Sequence, residues 1–186
     1  IETCANSYAG QIPLILKINS SNSLSRNSDA PTQAITGSIS EAIRLGCSAI
    51  GFTIYPGSDD SLNMISEIQE LAAEAKSLGL AVVVWSYPRG GNISKEGETA
   101  LDIVSYAAHM AALIGAHIIK VKPPTEFLED SNAKKVYIDN NIPISTLKDR
   151  IKNVVESCFQ GKRIVIFSGG SSKDTKGLLN EIREIR

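Results

Sequence analysis

The chain has 186 residues, 42% apolar and 21% charged, which is ordinary for a soluble globular protein and matches the size of one domain. A net charge of −1 and a pI near 6.2 argue against nucleic acid or an anionic membrane surface as a partner. Cys4, Cys47 and Cys158 lie far apart with no CxxC pair, and His109 and His117 are the only histidines. A disulfide framework, a zinc site and a three-ligand catalytic metal are therefore all unexpected.

In chain order a strand-then-helix rhythm repeats. The opening IETCANSYAG reads like the tail of a helix. IPLILKI (12–18) is a nearly continuous apolar run, as in a buried parallel strand, followed by a Ser/Asn-rich stretch from 19 to about 33. SISEAIRLG predicts a helix with Ser38 or Ser40 as N-cap and Gly46 as stop. The second unit is the strand SAIGFTIY (48–55) with a helix from about 60 to 78. The third is LAVVVWSY (80–87), the loop PRGGNISKEG, and a helix over 99–114. The fourth is HIIKVK (117–122), a long polar segment read as a mouth loop, and a helix from about 145 to 158. RIVIFSGG (163–170) and a helix over 175–185 make the fifth.

Five consecutive units with short helix-to-strand turns imply a parallel sheet with helices outside. An open doubly wound sheet and a (β/α)8 barrel both satisfy that. Polar groups at the C-terminal end of nearly every strand (Lys17, Tyr55, Trp85 with Tyr87, Lys120 with Lys122, Ser168) favour the TIM barrel, as does the absence of a GxGxxG turn. Eight units usually need about 250 residues, so residues 1–186 are expected to be a single barrel domain that is incomplete at both ends. No apolar run is long enough to cross a bilayer and no signal-like segment opens the chain, so a cytoplasmic location is the default expectation.

Lys120 is the most informative residue. It interrupts an apolar strand, where an unpaired ammonium is costly, and alternation puts it on the same side as Lys122. Burial and a neighbouring cation both favour the free amine that attacks a carbonyl; the bland alternative is pairing with an inward carboxylate. Tyr87 offers a phenol for proton transfer, its pKa expected to fall near a cation, although Trp85-x-Tyr87 also suits plain core packing. Arg89 follows directly and suits a carboxylate or phosphate. Ser168, Gly169 and Gly170 end the fifth strand, where backbone amides in a glycine turn can hold an anion. Lys17 ends its own strand and either joins the site or reaches into water. His109 and His117 read as structural or solvated.

Together LGCSAIGFTIYPGSDD, AVVVWSYPRGG, GAHIIKVKPP and IVIFSGG, in this order, resemble the archaeal-type (DhnA-type) class I fructose-bisphosphate aldolases over almost the whole chain. The resemblance implies a Schiff base on Lys120, acid/base work by Tyr87 and phosphate binding by Ser168, Gly169 and Gly170. Trp85, Arg89, Lys122 and Lys17 are the further candidate substrate contacts. It also implies a phosphorylated sugar substrate, no cofactor or metal, and a homo-oligomer. By that resemblance the chain supplies barrel strands three to seven, without the first strand's Asp-His-Gly-like stretch or the last strand's Gly-Arg-Asn-like phosphate loop. Two other readings stay open: a sibling Schiff-base aldolase or transaldolase-type enzyme on another sugar phosphate, and a catalytically silent barrel that binds a phosphorylated metabolite.

Overall fold

The computed structural model describes residues 2–22, 24, 30–169 and 174–185. Helix α1 (Glu2–Tyr8) leads into strand β1 (Ile15–Lys17). Strand β1 is shorter than the apolar run. Ile12 and Pro13 lie exposed before it, and ladder pairing starts at the Leu14 carbonyl, which accepts from Ser48 and Ala49. Two-residue strands β2 (Asn19–Ser20) and β3 (Ala34–Ile35) then pair antiparallel, a small hairpin inside the stretch expected to be loop. Helix α2 (Ile39–Arg44) takes Ser38 as its N-cap, the hydroxyl accepting from the Glu41 amide at 3.2 Å.

Strand β4 (Ala49–Ile54), helix α3 (Ser61–Ser77), strand β5 (Ala81–Ser86), a 3₁₀ turn (Gly97–Thr99) and helix α4 (Leu101–Leu113) come next. Strand β6 (Ile118–Val121), helices α5 (Ser131–Asp139) and α6 (Leu147–Ser157), strand β7 (Ile164–Phe167) and helix α7 (Thr175–Ile185) complete the order. The main sheet is five-stranded, all parallel, in the order β1-β4-β5-β6-β7.

That order never reverses, which decides between the two architectures. Right-handed crossovers between strands laid down in strict chain order put every helix on one face. A doubly wound sheet needs a switch point, and this sheet has none. Burial follows the same division. Ile50, Phe52, Ile54, Val82, Val84, Ile119 and Val121 face the helices and are fully buried, against Ile68, Ala72, Leu101, Val104 and Ala108. Each such side chain contributes roughly 1.5–3 kcal/mol by leaving water. On the opposite face Ile15 is 42%, Ile164 62% and Ile166 43% exposed. This concave side carries the strand-end polar groups, as the interior of a (β/α)8 barrel does.

The segment after β6 is not the open mouth loop expected from its composition. Asp130 caps α5 by accepting from the Asn132 and Ala133 amides at 2.9 and 2.8 Å. Helix α5 has no buried residue, which is why apolar periodicity does not reveal it. Its approach is stitched to α4. The buried Asp102 carboxylate accepts from the Glu129 and Asp130 amides at 3.1 and 2.8 Å, while the Thr125 amide and hydroxyl both donate to the Thr99 carbonyl. Arg150 donates to the carbonyls of Pro124, Ile144 and Ser145. Both histidines serve the scaffold: His117 Nδ1 accepts from the Val82 amide at 3.0 Å, and His109 Nδ1 lies 2.7 Å from the Ser157 carbonyl. Among the described residues no helix is long and apolar enough to cross a membrane.

Replacing Asp102 by alanine removes two charge-assisted hydrogen bonds and leaves two amides at the loop without acceptors. The expected loss is about 2 kcal/mol of unfolding free energy, measured by urea denaturation. A change within experimental error would show that the carboxylate does not anchor the segment.

Candidate active site

The ladders set the site in two layers along the concave face. In the deeper layer Thr53, Trp85, Lys120 and Ile166 are successive partners across β4, β5, β6 and β7. One period further along are Tyr55, Tyr87, Lys122 and Ser168. The ladder still holds there, since the Tyr87 amide donates to the Ile54 carbonyl and the Ser168 amide to Val121. Lys17 pairs with Gly51 at the edge of the sheet. Lys120 therefore sits directly beside Trp85, with Tyr87 one step nearer the mouth.

Gly51 makes room for the indole. A Cβ at Gly51 would overlap the Trp85 ring, falling 2.9 Å from Cη2, so the ring lies across β4 where only glycine leaves space. Nothing in the sequence around Gly51 announces this, because the conflict is with a residue on the next strand.

The three lysines of the face differ in their partners. Lys17 is not simply solvated: its ammonium donates to the Asn19 carbonyl, to Asn19 Oδ1 at 3.1 Å and to Gln33 Oε1 at 3.2 Å. Burial lowers its pKa. Gln33 donates in turn to the Tyr55 hydroxyl at 2.7 Å, and the Arg89 guanidinium lies over the Tyr55 ring, 5.7 Å from its centroid. Lys122 forms an ion pair with Glu98, Nζ to Oε2 3.4 Å. Lys120 is half-buried and has no hydrogen-bond or ion-pair partner among the described residues. The inward carboxylate of the bland reading thus exists, but it pairs with Lys122.

Tyr87 is half-buried, and its hydroxyl makes no hydrogen bond among the described residues. Burial raises its pKa, outweighing the lowering by Arg89, while Tyr55 adds to the rise. The expectation that a neighbouring cation lowers it is thereby corrected: Tyr87 is a neutral phenol in this state. Ser168 and Gly169 follow β7 as expected, with Gly169 at φ +94° and its α-carbon side facing Lys122. Gly170 lies outside the described residues.

Sequence reading missed Asn19, Gln33 and Glu98 as well as Gly51. Asn19 is fully buried and copies a ladder residue with its side chain, donating to the Thr53 carbonyl and accepting from the Thr53 amide, both at 2.8 Å. The hairpin that follows it returns Gln33 to Lys17. Glu98, just before α4, reads as an ordinary first-turn acid. A cavity of about 530 Å³ lies elsewhere, between α5 and its approach, lined by Phe127, Leu128, Tyr137, Ile138, Ile142 and Ile144 and by none of the strand-end groups. Among the described residues no three His, Cys, Asp or Glu side chains group to hold a metal ion.

Substituting Gly51 by alanine should push the Trp85 ring out toward solvent. The chain's single tryptophan then reports the change directly, as a red-shifted emission maximum in steady-state fluorescence. An unchanged spectrum would contradict the packing described.

Comparison with known proteins gives the family. The model of the DeoC/LacD family aldolases matches residues 1–184. The class 1 fructose-bisphosphate aldolase of Thermoproteus tenax is 44% identical over 115 residues, 62% of this chain and 42% of the relative. The fructose-bisphosphate aldolase/6-deoxy-5-ketofructose 1-phosphate synthase of Methanocaldococcus jannaschii is 31% identical over 179 residues, 94% of this chain and 51% of the relative. Among solved structures, an archaeal fructose-1,6-bisphosphate aldolase with its catalytic lysine covalently bound to the carbinolamine intermediate superposes with a TM-score of 0.76 and 31% identity, covering 99% of this chain and 63% of that one. The chain spans about half the length of the curated relatives it matches. The chain belongs to the DeoC/LacD family of aldolases.

Proposed function

We propose that the protein is a class I, Schiff-base aldolase that cleaves fructose 1,6-bisphosphate reversibly to dihydroxyacetone phosphate and glyceraldehyde 3-phosphate. The observation that carries this reading is the state of Lys120: alone of the three lysines on the concave face, its amine is unengaged among the described residues. The names borne by the relatives support the same substrate.

In this reading the Lys120 amine adds to the C2 ketone. Loss of water from the carbinolamine gives an iminium, which accepts the electron pair as the C3–C4 bond breaks. The aldehyde leaves and an enamine remains on Lys120. Tyr87, held as a phenol by burial, suits the proton-donating half, re-protonation of the enamine at C3. The iminium charge, arriving only with substrate, is what would draw the phenol toward accepting the C4 hydroxyl proton in the cleavage half. Trp85 lies alongside the reacting carbons. Lys17, Arg89, Lys122, Ser168, Gly169 and Gly170 are the groups offered to the two phosphates.

The chain supplies strands three to seven of a single barrel domain in this proposal, the relatives being about twice as long. The enzyme works in the cytoplasm as a homo-oligomer. A sibling activity on another ketose phosphate has support of its own from the two-function name of the Methanocaldococcus jannaschii relative; a panel of phosphorylated ketoses assayed for cleavage separates the two.

Sodium borohydride reduces an iminium by hydride addition at carbon, leaving a stable secondary amine. In full-length protein incubated with dihydroxyacetone phosphate, intact mass should rise by one reduced adduct, and Lys120→Met should abolish it. A wild-type adduct mapped to a lysine other than Lys120 would overturn the assignment; none in folded wild-type protein would overturn the Schiff-base reading. Tyr87→Phe should keep the trapped adduct while kcat for cleavage drops by about 10²–10⁴. Equal loss of adduct and turnover would remove Tyr87 from proton transfer.

A further inference from the structure

Two amines two residues apart on one strand face pose a selectivity problem, because either could reach a ketone held at the mouth. An ion pair with a carboxylate turns a lysine nitrogen toward that carboxylate and away from a carbonyl held at the mouth. Among the described residues Lys122 is in that position and Lys120 is not.

The carboxylate responsible is built into place. Glu98 is only 13% exposed, and its second oxygen accepts from Lys95 at 2.9 Å. Burial pushes its carboxyl up, but the hydrogen bonds and charges of Lys95 and Lys122 outweigh this and hold it below the usual range. It sits in the middle of the 3₁₀ turn, and each neighbour is secured. The Glu98 amide donates to the Ser94 carbonyl, the Gly97 amide to Ser94 Oγ, and the Ser94 amide and hydroxyl to Glu129. A Cβ at Gly97 would lie 2.6 Å from the Glu129 carboxyl carbon, so a larger residue there displaces that carboxylate. Thr99 accepts from Thr125 on the far side. The turn and the segment after β6 therefore form one frame, and Glu98 projects from it onto the strand that carries both lysines.

From this we infer that Glu98 is a positioning residue that confines imine formation to Lys120 by tying the Lys122 ammonium to the loop between β5 and α4. The inference rests on the Schiff-base reading above. A role in stability alone predicts no change in where substrate attaches.

The test maps the borohydride adduct of dihydroxyacetone phosphate on full-length protein, with fragment ions separating residue 120 from residue 122. Wild type is expected to carry it on Lys120 alone. Glu98→Gln, which keeps the shape and removes the charge, is expected to divide it between Lys120 and Lys122, and Glu98→Asp to restore labelling of Lys120 alone. Lys120→Met leaves Glu98 in place and is expected to carry no adduct on Lys122, while Lys120→Met/Glu98→Gln gains one there. Labelling confined to Lys120 in folded Glu98→Gln overturns the inference and leaves the Schiff-base reading intact. So does an adduct on Lys122 in Lys120→Met, which tests the idea without touching Glu98. No adduct on any lysine of wild type overturns both.

Discussion

The register between β5 and β6, Trp85 opposite Lys120, is the constraint on which the rest depends. Because parallel strands repeat every two residues, that one pairing places Thr53 and Ile166 in the same layer and Tyr55, Tyr87, Lys122 and Ser168 in the next. A slip of one residue would turn Lys120 into the helix layer, where Ile119 and Val121 now lie fully buried. The apolar packing of α4 against those two side chains therefore fixes where the amine points. Stability and chemistry share a single alternation.

Electrostatics then sorts groups that the ladder leaves equivalent. Three lysines share the concave face, yet Lys17 is engaged by Asn19 and Gln33, Lys122 by Glu98, and Lys120 by no described residue. The engaging groups come from the two excursions of the chain after β1 and after β5. Both are loops held by side-chain substitutes for backbone pairing: Asn19 on Thr53 in one case, Ser94 and Glu129 around Gly97 in the other. A scaffold of strands sets position, and connecting segments set which amine is free.

The sheet and its main helices were legible because each strand is a short apolar run ended by a polar group, and α2, α3 and α4 are periodic runs ended by glycine, at Gly46, Gly79 and Gly115, all at positive φ. Lys120 stood out as a candidate because a charged residue inside an apolar strand has few structural uses, and alternation alone put Trp85 and Tyr87 on one side of the next strand. What escaped has one physical origin. Gly51, Asn19, Gln33 and Glu98 act through partners 16 to 34 residues away, and no local pattern registers a contact of that separation. Helix α5 escaped for another reason: it buries no residue fully, and the part-buried Ala133 and Tyr137 are too few to register as the apolar stripe by which helices are recognised. The ionisation of Tyr87 was misread because burial, which depends on packing, outweighs the nearby arginine that the sequence displays.

The most direct test of the central claim is a crystal structure of the full-length protein after reduction in the presence of dihydroxyacetone phosphate. The account predicts continuous density from Lys120 Nζ to C2 of the ligand, with the Trp85 ring alongside and Lys122 still paired with Glu98. Density joining the ligand to any other lysine, or a ligand bound away from the β5 and β6 strand ends, would contradict it.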